Sequence, residues 1–175
     1  MQDATEFTIT QVAEAVDIDL SNLRNRVRQN FLEYKGPEPR ASYPRMFKRE
    51  GVYEIAIIDE LERHGLNRSL AADITHRWLK TWLEEDVEAL ANQILSPLYK
   101  QVKAAFEAHR DLSNPIILVL SLDCSGGYAQ AYGQMSMIQG LPMALQAALD
   151  EGKHALLINL TSILFRVDQG LSRVA

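Results

Sequence analysis

The chain has 175 residues, 47% of them hydrophobic, and a formal net charge of −5. A chain of this length can bury one or two ordinary cores. Its one long apolar run, residues 115–122, is much shorter than the ~20 residues that span a bilayer, and its single cysteine excludes an internal disulfide or a paired-thiolate metal site. No basic and apolar leader opens the sequence, so we expect a cytoplasmic protein without a membrane partner.

Positive charge is concentrated in one segment near the start. The residues from Arg24 to Arg49 include eight basic and two acidic side chains, a net charge of +6, whereas the rest of the chain includes ten basic and 21 acidic side chains, a net charge of −11. Phosphate contacts supply most of the sequence-independent affinity of proteins for DNA. A basic surface on an acidic body is therefore the charge distribution expected of a DNA-binding module.

The first predicted elements are two short helices joined by a tight turn. Thr10 is expected to cap the first helix, and Asp17 to end it in a left-handed conformation, which aspartate tolerates better than most residues. Ser21 is expected to cap the second helix, in which apolar residues recur at every fourth position. These apolar positions are Leu23, Val27 and Phe31.

The other faces of the second helix carry side chains that suit DNA. Arginine and asparagine match the edges of guanine and adenine with paired donors and acceptors, and arginine also clamps phosphates. These positions are Asn22, Arg24, Asn25, Arg26, Arg28 and Gln29. A helix-turn-helix with a basic second helix is the arrangement that enters a major groove.

A proline-rich basic segment follows, and then two further helices. Residues 33–51 contain three prolines and two glycines, which forbid a regular helix, and we interpret the segment as a hairpin-like wing with a basic edge. An apolar stripe then predicts a helix that ends at Gly65, and Leu66 begins another. The stripe consists of Val52, Ile55, Ile57, Ile58 and Leu61.

This order of elements resembles the MerR-like winged helix-turn-helix regulators. The matching residues, within residues 5–75, are Phe7, Thr8, Ile9, Val12, Ala13, Ile18, Leu23, Arg24, Pro39, Arg40, Arg45, Phe47, Leu61, Gly65 and Leu66. The resemblance implies contacts of Arg24 and Arg45 with the DNA backbone, and a recognition helix and wing that grip adjacent grooves. The departures from the family pattern are Asp17 in the turn, Asn25 and Arg26 after Arg24, and Pro44 in the wing. Phage excisionases share the same module.

The middle of the chain predicts long helices. An apolar stripe runs from Leu83 to Phe106 at helical spacing, and Pro97 divides it into helices of about 70–95 and 97–110. In the resembled family a long helix at this place forms a dimer. The stripe either forms such an interface or packs against the C-terminal region of the same chain. The four histidines show no metal-ligand spacing.

The C-terminal part predicts a small α/β unit. An apolar strand begins at Pro115, and its lack of alternation is typical of a strand covered on both faces. A helix follows at about 142–151 and a second strand covers 155–160, which together suggest a βαβ unit with parallel strands. Ser162 is expected to cap a last helix, in which an apolar stripe falls at helical spacing. The stripe consists of Ile163, Leu164, Val167, Leu171 and Val174. The loop 123–127 is interpreted first as a structural turn, then as a small-molecule sensor site, and last as a nucleophile site at Cys124 or Ser125.

The predicted fold is mainly α-helical with a small β content. It has three domains: a MerR-like winged helix-turn-helix (1–75), connecting or dimerisation helices (76–112) and a βαβ-like C-terminal effector or interaction domain (113–175). The predicted function is a sequence-specific transcriptional regulator that binds double-stranded DNA as a homodimer. We expect no enzyme activity, cofactor or metal, and an unknown small-molecule or protein effector would act on the C-terminal domain.

Ten residues are predicted to bind DNA. Base specificity is expected from Asn22, Asn25, Arg26 and Arg28, backbone contacts from Arg24, Arg40, Arg45, Lys48 and Arg49, and a further contact from Ser21. Two alternatives remain open. One is a protein-interaction module whose basic face binds an acidic protein, and the other is an excisionase-like accessory protein with no effector sensing.

Overall fold

The computed structural model describes residues 6–29, 46–83, 115–123, 130–137, 145–146 and 154–174. The chain divides into two units, of which the first joins Met1–Thr75 with Ile163–Ala175 and the second is His76–Ser162. The described elements are mainly helical, with two small antiparallel sheets. The sequence prediction assigned residues 113–175 to one C-terminal domain, whereas the last helix belongs to the first unit from Ile163 onward.

The elements follow one another in a simple order. The N-terminal part contains β1 (Phe7–Thr8), α1 (Ile9–Val16), α2 (Leu20–Arg28), β2 (Met46–Phe47) and α3 (Arg49–Arg63), and α4 (Arg68–Leu83) comes next. The later part contains β3 (Ile116–Asp123), β4 (Gln130–Met137), β5 (His154–Asn159) and α5 (Leu160–Val174). No helix in the described ranges is long and apolar enough to cross a membrane.

Three helices begin at caps other than those predicted. Thr8 rather than Thr10 caps α1, because Gln11, three residues later, completes a capping box with it. Asp19 rather than Ser21 caps α2, since its carboxylate accepts hydrogen bonds from the backbone amides of Ser21 and Asn22. Asn159 rather than Ser162 starts α5: its Oδ1 accepts the amide hydrogen of Ser162 at 2.9 Å. In each case the cap lies earlier in the chain than the sequence suggested.

Two helix ends are where the sequence placed them. Asp17 has φ 58° and ψ 47°, in the left-handed region, and the amide of Ile18 donates to the carbonyl of Ala13 at 3.0 Å. Gly65 has φ 91°, and the amide of Leu66 donates to the carbonyl of Leu61 at 3.2 Å. Both ends close with the six-residue backbone bond of a Schellman motif. The turn predicted at Asp17 and the helix end predicted at Gly65 are confirmed.

The small sheet of the first unit pairs the start of the chain with the end of the predicted wing. β1 and β2 are antiparallel, and Phe7 lies opposite Phe47, both of them buried. This pairing brings the residues that precede α1 next to the residues that precede α3. The rest of the predicted wing, with Arg40 and Arg45, lies outside the described residues.

The core of the first unit includes one face of α5. Helical spacing turns four apolar side chains of α5 inward, as the sequence predicted. These are Ile163, Leu164, Val167 and Leu171. Gly170 completes this face, and a Cβ atom built on it would lie 2.2 Å from the carbonyl oxygen of Ala15 in α1. The backbones of α1 and α5 are therefore in close contact.

The second unit contains a three-stranded sheet in the order β4-β3-β5, and both pairs are antiparallel. The predicted parallel βαβ pairing is wrong, because β4 forms a hairpin with β3 and β5 adds to the other side of β3 in the opposite direction. The sequence correctly indicated a strand covered on both faces, since residues 117–120 are all buried. A central antiparallel strand meets that requirement as well as a parallel one does.

Several predictions fall on residues that the structure does not describe. They include the stripe beyond Leu83, the break at Pro97 and the loop residues 124–127. Of the helix predicted at 142–151, Leu145 and Gln146 are described, and both are helical.

Candidate nucleic-acid interface

The turn between α1 and α2 positions the candidate interface. It contains only Asp17, Ile18 and Asp19, and the side chain of Ile18 is buried in the core. On α2 the buried apolar residues are Leu23 and Val27. This contact holds α2 against the first unit by one face and leaves the opposite face in solvent.

The exposed face of α2 carries most of the residues predicted to contact DNA. Ser21, Arg24, Asn25 and Arg28 are exposed, and Asn22 is half-buried. We call the four exposed residues the outward face. Arg24 and Arg28 are four positions apart, so their side chains project from adjacent turns on the same side of the helix. Two cations and one amide can therefore meet a ligand together.

Arg26 lies on the opposite side of α2, which corrects its predicted role in reading bases. The side chain is 4% exposed, and its Nη2 atom lies 2.6 Å from Oδ1 of Asp59 and 2.6 Å from Oε2 of Glu62, both on α3. A guanidinium that is buried and bonded to two carboxylates is not available to a base edge. The physical reason is helical phase, because Arg26 lies three positions after Leu23 and next to Val27 on the buried face.

The two carboxylates have further arginine partners. Nε of Arg63 lies 2.8 Å from Oδ2 of Asp59, and Nε of Arg68 lies 2.7 Å from Oε1 of Glu62. Arg68 also donates through Nη1 to Oε1 of Gln29 at 3.2 Å, immediately after α2 ends. We call the set of Arg26, Asp59, Glu62, Arg63, Arg68 and Gln29 the ionic cluster. It joins α2 to α3 and to the start of α4.

The start of α2 is acidic but internally bonded. Oδ1 of Asp19 accepts hydrogen bonds from the Ser21 hydroxyl, the Ser21 amide and the Asn22 amide. These bonds, led by that of the Ser21 hydroxyl, hold the pKa of Asp19 below its ordinary value. The Ser21 hydroxyl hydrogen is therefore used within the cap, and its oxygen remains exposed to a ligand.

The start of α3 supplies the two other described candidates. Lys48 is exposed at the N-terminus of α3. Nη1 of Arg49 lies 3.8 Å from Oδ1 of Asp168 on α5, and the hydroxyl of Tyr53 donates to the same oxygen at 2.7 Å. Burial, followed by the bond to Asp168, raises the pKa of Tyr53. Arg49 is thus partly exposed and partly engaged with α5.

The structure brings together part of the predicted site. Ser21, Asn22, Arg24, Asn25 and Arg28 lie on α2, and Lys48 and Arg49 lie at the start of α3. Sequence reasoning missed Asp59 and Glu62, which hold Arg26 in the core. Two acids at positions i and i+3 among the buried apolar residues of α3 could have indicated a buried basic partner.

Comparisons with known proteins leave the family open. No protein-family model matches the chain, and no curated protein matches it. The likeness to MerR-like regulators therefore depends on the sequence pattern of residues 5–75.

Proposed function

We propose that the protein is a sequence-specific DNA-binding regulator that inserts α2 of a MerR-like winged helix-turn-helix into the major groove. The observation that carries the proposal is the outward face, where Arg24, Asn25 and Arg28 are exposed together while the opposite side of α2 is buried. Guanidinium and amide groups are the side chains that read guanine and adenine edges in that groove.

The dimensions of α2 suit this placement. An α-helix with its side chains is about 10–12 Å in diameter, close to the ~12 Å width of the major groove of B-DNA. The short turn keeps α1 beside α2, where it would cross the sugar-phosphate backbone. Arg24 and Lys48 are then assigned to phosphates, and Asn25 and Arg28 to base edges.

A salt titration tests DNA binding directly. Binding of the full chain to a fluorescent duplex should weaken as salt rises, with a log–log slope of about −0.9 for each neutralised phosphate. Arg24→Ala should make that slope shallower by about 0.9, because one phosphate contact is lost. Arg173→Ala is the matched control, since Arg173 is an exposed arginine on α5 and its removal changes the net charge equally. Equal slopes for the two variants would contradict the proposed interface.

Selection of duplexes from a randomised pool tests specificity and symmetry together. A homodimer should select two half-sites related by two-fold symmetry, about one helical turn or a multiple of it apart. We propose the homodimer and an effector that acts on the second unit as parts of the same regulator. If no sequence is enriched in the selected duplexes, the protein binds DNA only non-specifically and the proposed specificity is wrong.

Exposed acids beside α2 favour a second candidate function, a protein-interaction module. Glu14, Asp17 and Asp19 are exposed at the end of α1 and in the turn that precedes α2. Their charge repels phosphates, whereas a protein partner with both signs of charge could pair with acids and arginines alike. Failure of the protein to bind duplex DNA at low salt would favour this candidate.

A further inference from the structure

Arg26 differs from its neighbours in where its charge lies. Arg24 and Arg28 are exposed, whereas Arg26 is buried between two carboxylates of α3. At about 100° per residue, positions two apart on a helix differ by about 200° in direction. Arg24 and Arg28 therefore point almost opposite to Arg26, and whatever holds Arg26 also determines where they point.

The bonds of Arg26 are directional, unlike the other contacts of the buried face. Leu23 and Val27 pack by burial of apolar surface, which selects the side of α2 that faces the core but sets no direction at an individual contact. A guanidinium hydrogen bonded to carboxylates requires short distances and aligned groups. Nη2 donates such a hydrogen bond to Oδ1 of Asp59 at 2.6 Å, and it also forms an ion pair with Oε2 of Glu62 at 2.6 Å.

A second attachment lies one turn further along. Gln29 accepts a hydrogen bond from Arg68, which in turn binds Glu62. Arg26 and Gln29 are three positions apart, so the ionic cluster holds α2 in its last turn and at its C-cap. Two such points restrict both rotation and tilt.

We propose that Arg26 is a positioning residue for DNA recognition: through Asp59 and Glu62 it sets the orientation of α2 that directs the outward face toward the groove. The role of this orientation in DNA recognition rests on the proposed function. The orientation itself is testable in the free protein.

Amide hydrogen exchange of the free chain is the first test, with Arg26→Met as the main variant. In this variant Asp59 still forms an ion pair with Arg63, and Glu62 still forms one with Arg68. Neither carboxylate is left without an arginine partner, so the first unit should still fold. We expect the amides of α2 to exchange at least about tenfold faster than in the wild type, while those of α3 are unchanged.

Two further variants make the result specific. Arg24→Met removes an arginine from the same helix and should leave the exchange of α2 unchanged. Arg26→Lys keeps the charge but loses the planar guanidinium, and it should give an intermediate acceleration. The proposal would be overturned if the amides of α2 exchanged in Arg26→Met as slowly as in the wild type. It would also be overturned if exchange became equally faster in α2 and α3, because Arg26 would then stabilise the core in general.

DNA binding is the second test, with duplexes selected by the wild type. Arg26→Lys should lower the preference for a selected duplex over a random one and leave the salt slope unchanged, whereas Arg24→Met should make the slope shallower by about 0.9. A direct DNA contact by Arg26 would leave free-protein exchange unchanged in Arg26→Met and make its slope shallower by about 0.9, which would overturn the proposal. If the wild type binds no DNA, the proposed function fails, and the exchange experiment alone decides the orientation.

Discussion

Replacement of Gly170 by alanine is expected to loosen the contact between α5 and α1. The new Cβ would lie 2.2 Å from the carbonyl oxygen of Ala15, and 2.8 Å from its Cα and carbonyl carbon. All three atoms belong to the backbone, so no side chain can rotate away. Ordinary contacts of a Cβ atom begin near 3.4 Å, and one of the two helices must therefore move by about 1 Å.

The sign of the stability change distinguishes this contact from helix propensity. Within a helix, replacement of glycine by alanine is favourable by about 1 kcal/mol where space is free. Overpacking of a close contact costs about 1–3 kcal/mol, and sometimes more. Because the clash involves backbone and the α5 face is fully buried, we expect Gly170→Ala to lower the free energy of unfolding by about 1–2 kcal/mol.

Urea and thermal unfolding, followed by circular dichroism, measure this change. For a chain of this size each kcal/mol lowers Tm by about 2–4 °C. Gly51→Ala is the matched control, since Gly51 lies in α3 and a Cβ on it would be 4.0 Å from the nearest atom, Cδ1 of Phe47. We expect Gly51→Ala to be neutral or stabilising. A Gly170→Ala protein that is more stable than the wild type would refute the close packing of α5 on α1.

Three other changes test single features of the first unit. Asp17→Gly should stabilise the protein by about 0.5–1 kcal/mol in urea unfolding, because glycine adopts a φ of 58° without steric cost; a loss of stability would contradict the left-handed turn. Tyr53→Phe should cost about 1–3 kcal/mol, since Asp168 loses a hydrogen bond. Because the pKa of Tyr53 is raised, the stability that its neutral hydroxyl contributes is complete below pH 10.0 and is lost as pH rises through the folded-state pKa. The free energy of unfolding of Tyr53→Phe should therefore fall less steeply with rising pH than that of the wild type. Because the pKa of Asp19 is lowered, the stability contributed by its carboxylate cap is complete above pH 3.8 and is lost as pH falls through the folded-state pKa. Asp19→Asn should therefore lose less helicity than the wild type when the protein is titrated with acid. The same loss of helicity in both proteins would exclude the cap.

Local signals predicted the helices of the first unit well. Asp17 and Gly65 end their helices as expected because a left-handed residue depends on its own backbone and on the bonds of one helical turn. The inward stripe of α5 was also predicted, since apolar spacing alone determines which side of a helix can be buried. The three predicted caps were wrong by two or three residues, because several polar residues near a helix start can accept the same amide hydrogens.

Non-local contacts decided what the sequence pattern could not. Arg24, Arg26 and Arg28 are equally basic in sequence, and the removal of Arg26 from the candidate interface depends on Asp59 and Glu62, more than 30 positions away on α3. The apolar run of β3 likewise requires cover on both faces, but it does not specify the direction of its neighbours. β4 contains polar residues and a glycine, so no apolar pattern marked it.

The sequence by itself determined the first two helices and the short turn between them, the basic character of the second helix, and the amphipathic last helix, because each depends on residues within a few turns of one another. Only the tertiary structure decided that α5 packs on the N-terminal unit, that the C-terminal sheet is antiparallel, and that one arginine of α2 is buried while Arg24 and Arg28 are exposed. These outcomes depend on which distant surfaces and charges meet, and that is a property of the folded chain as a whole.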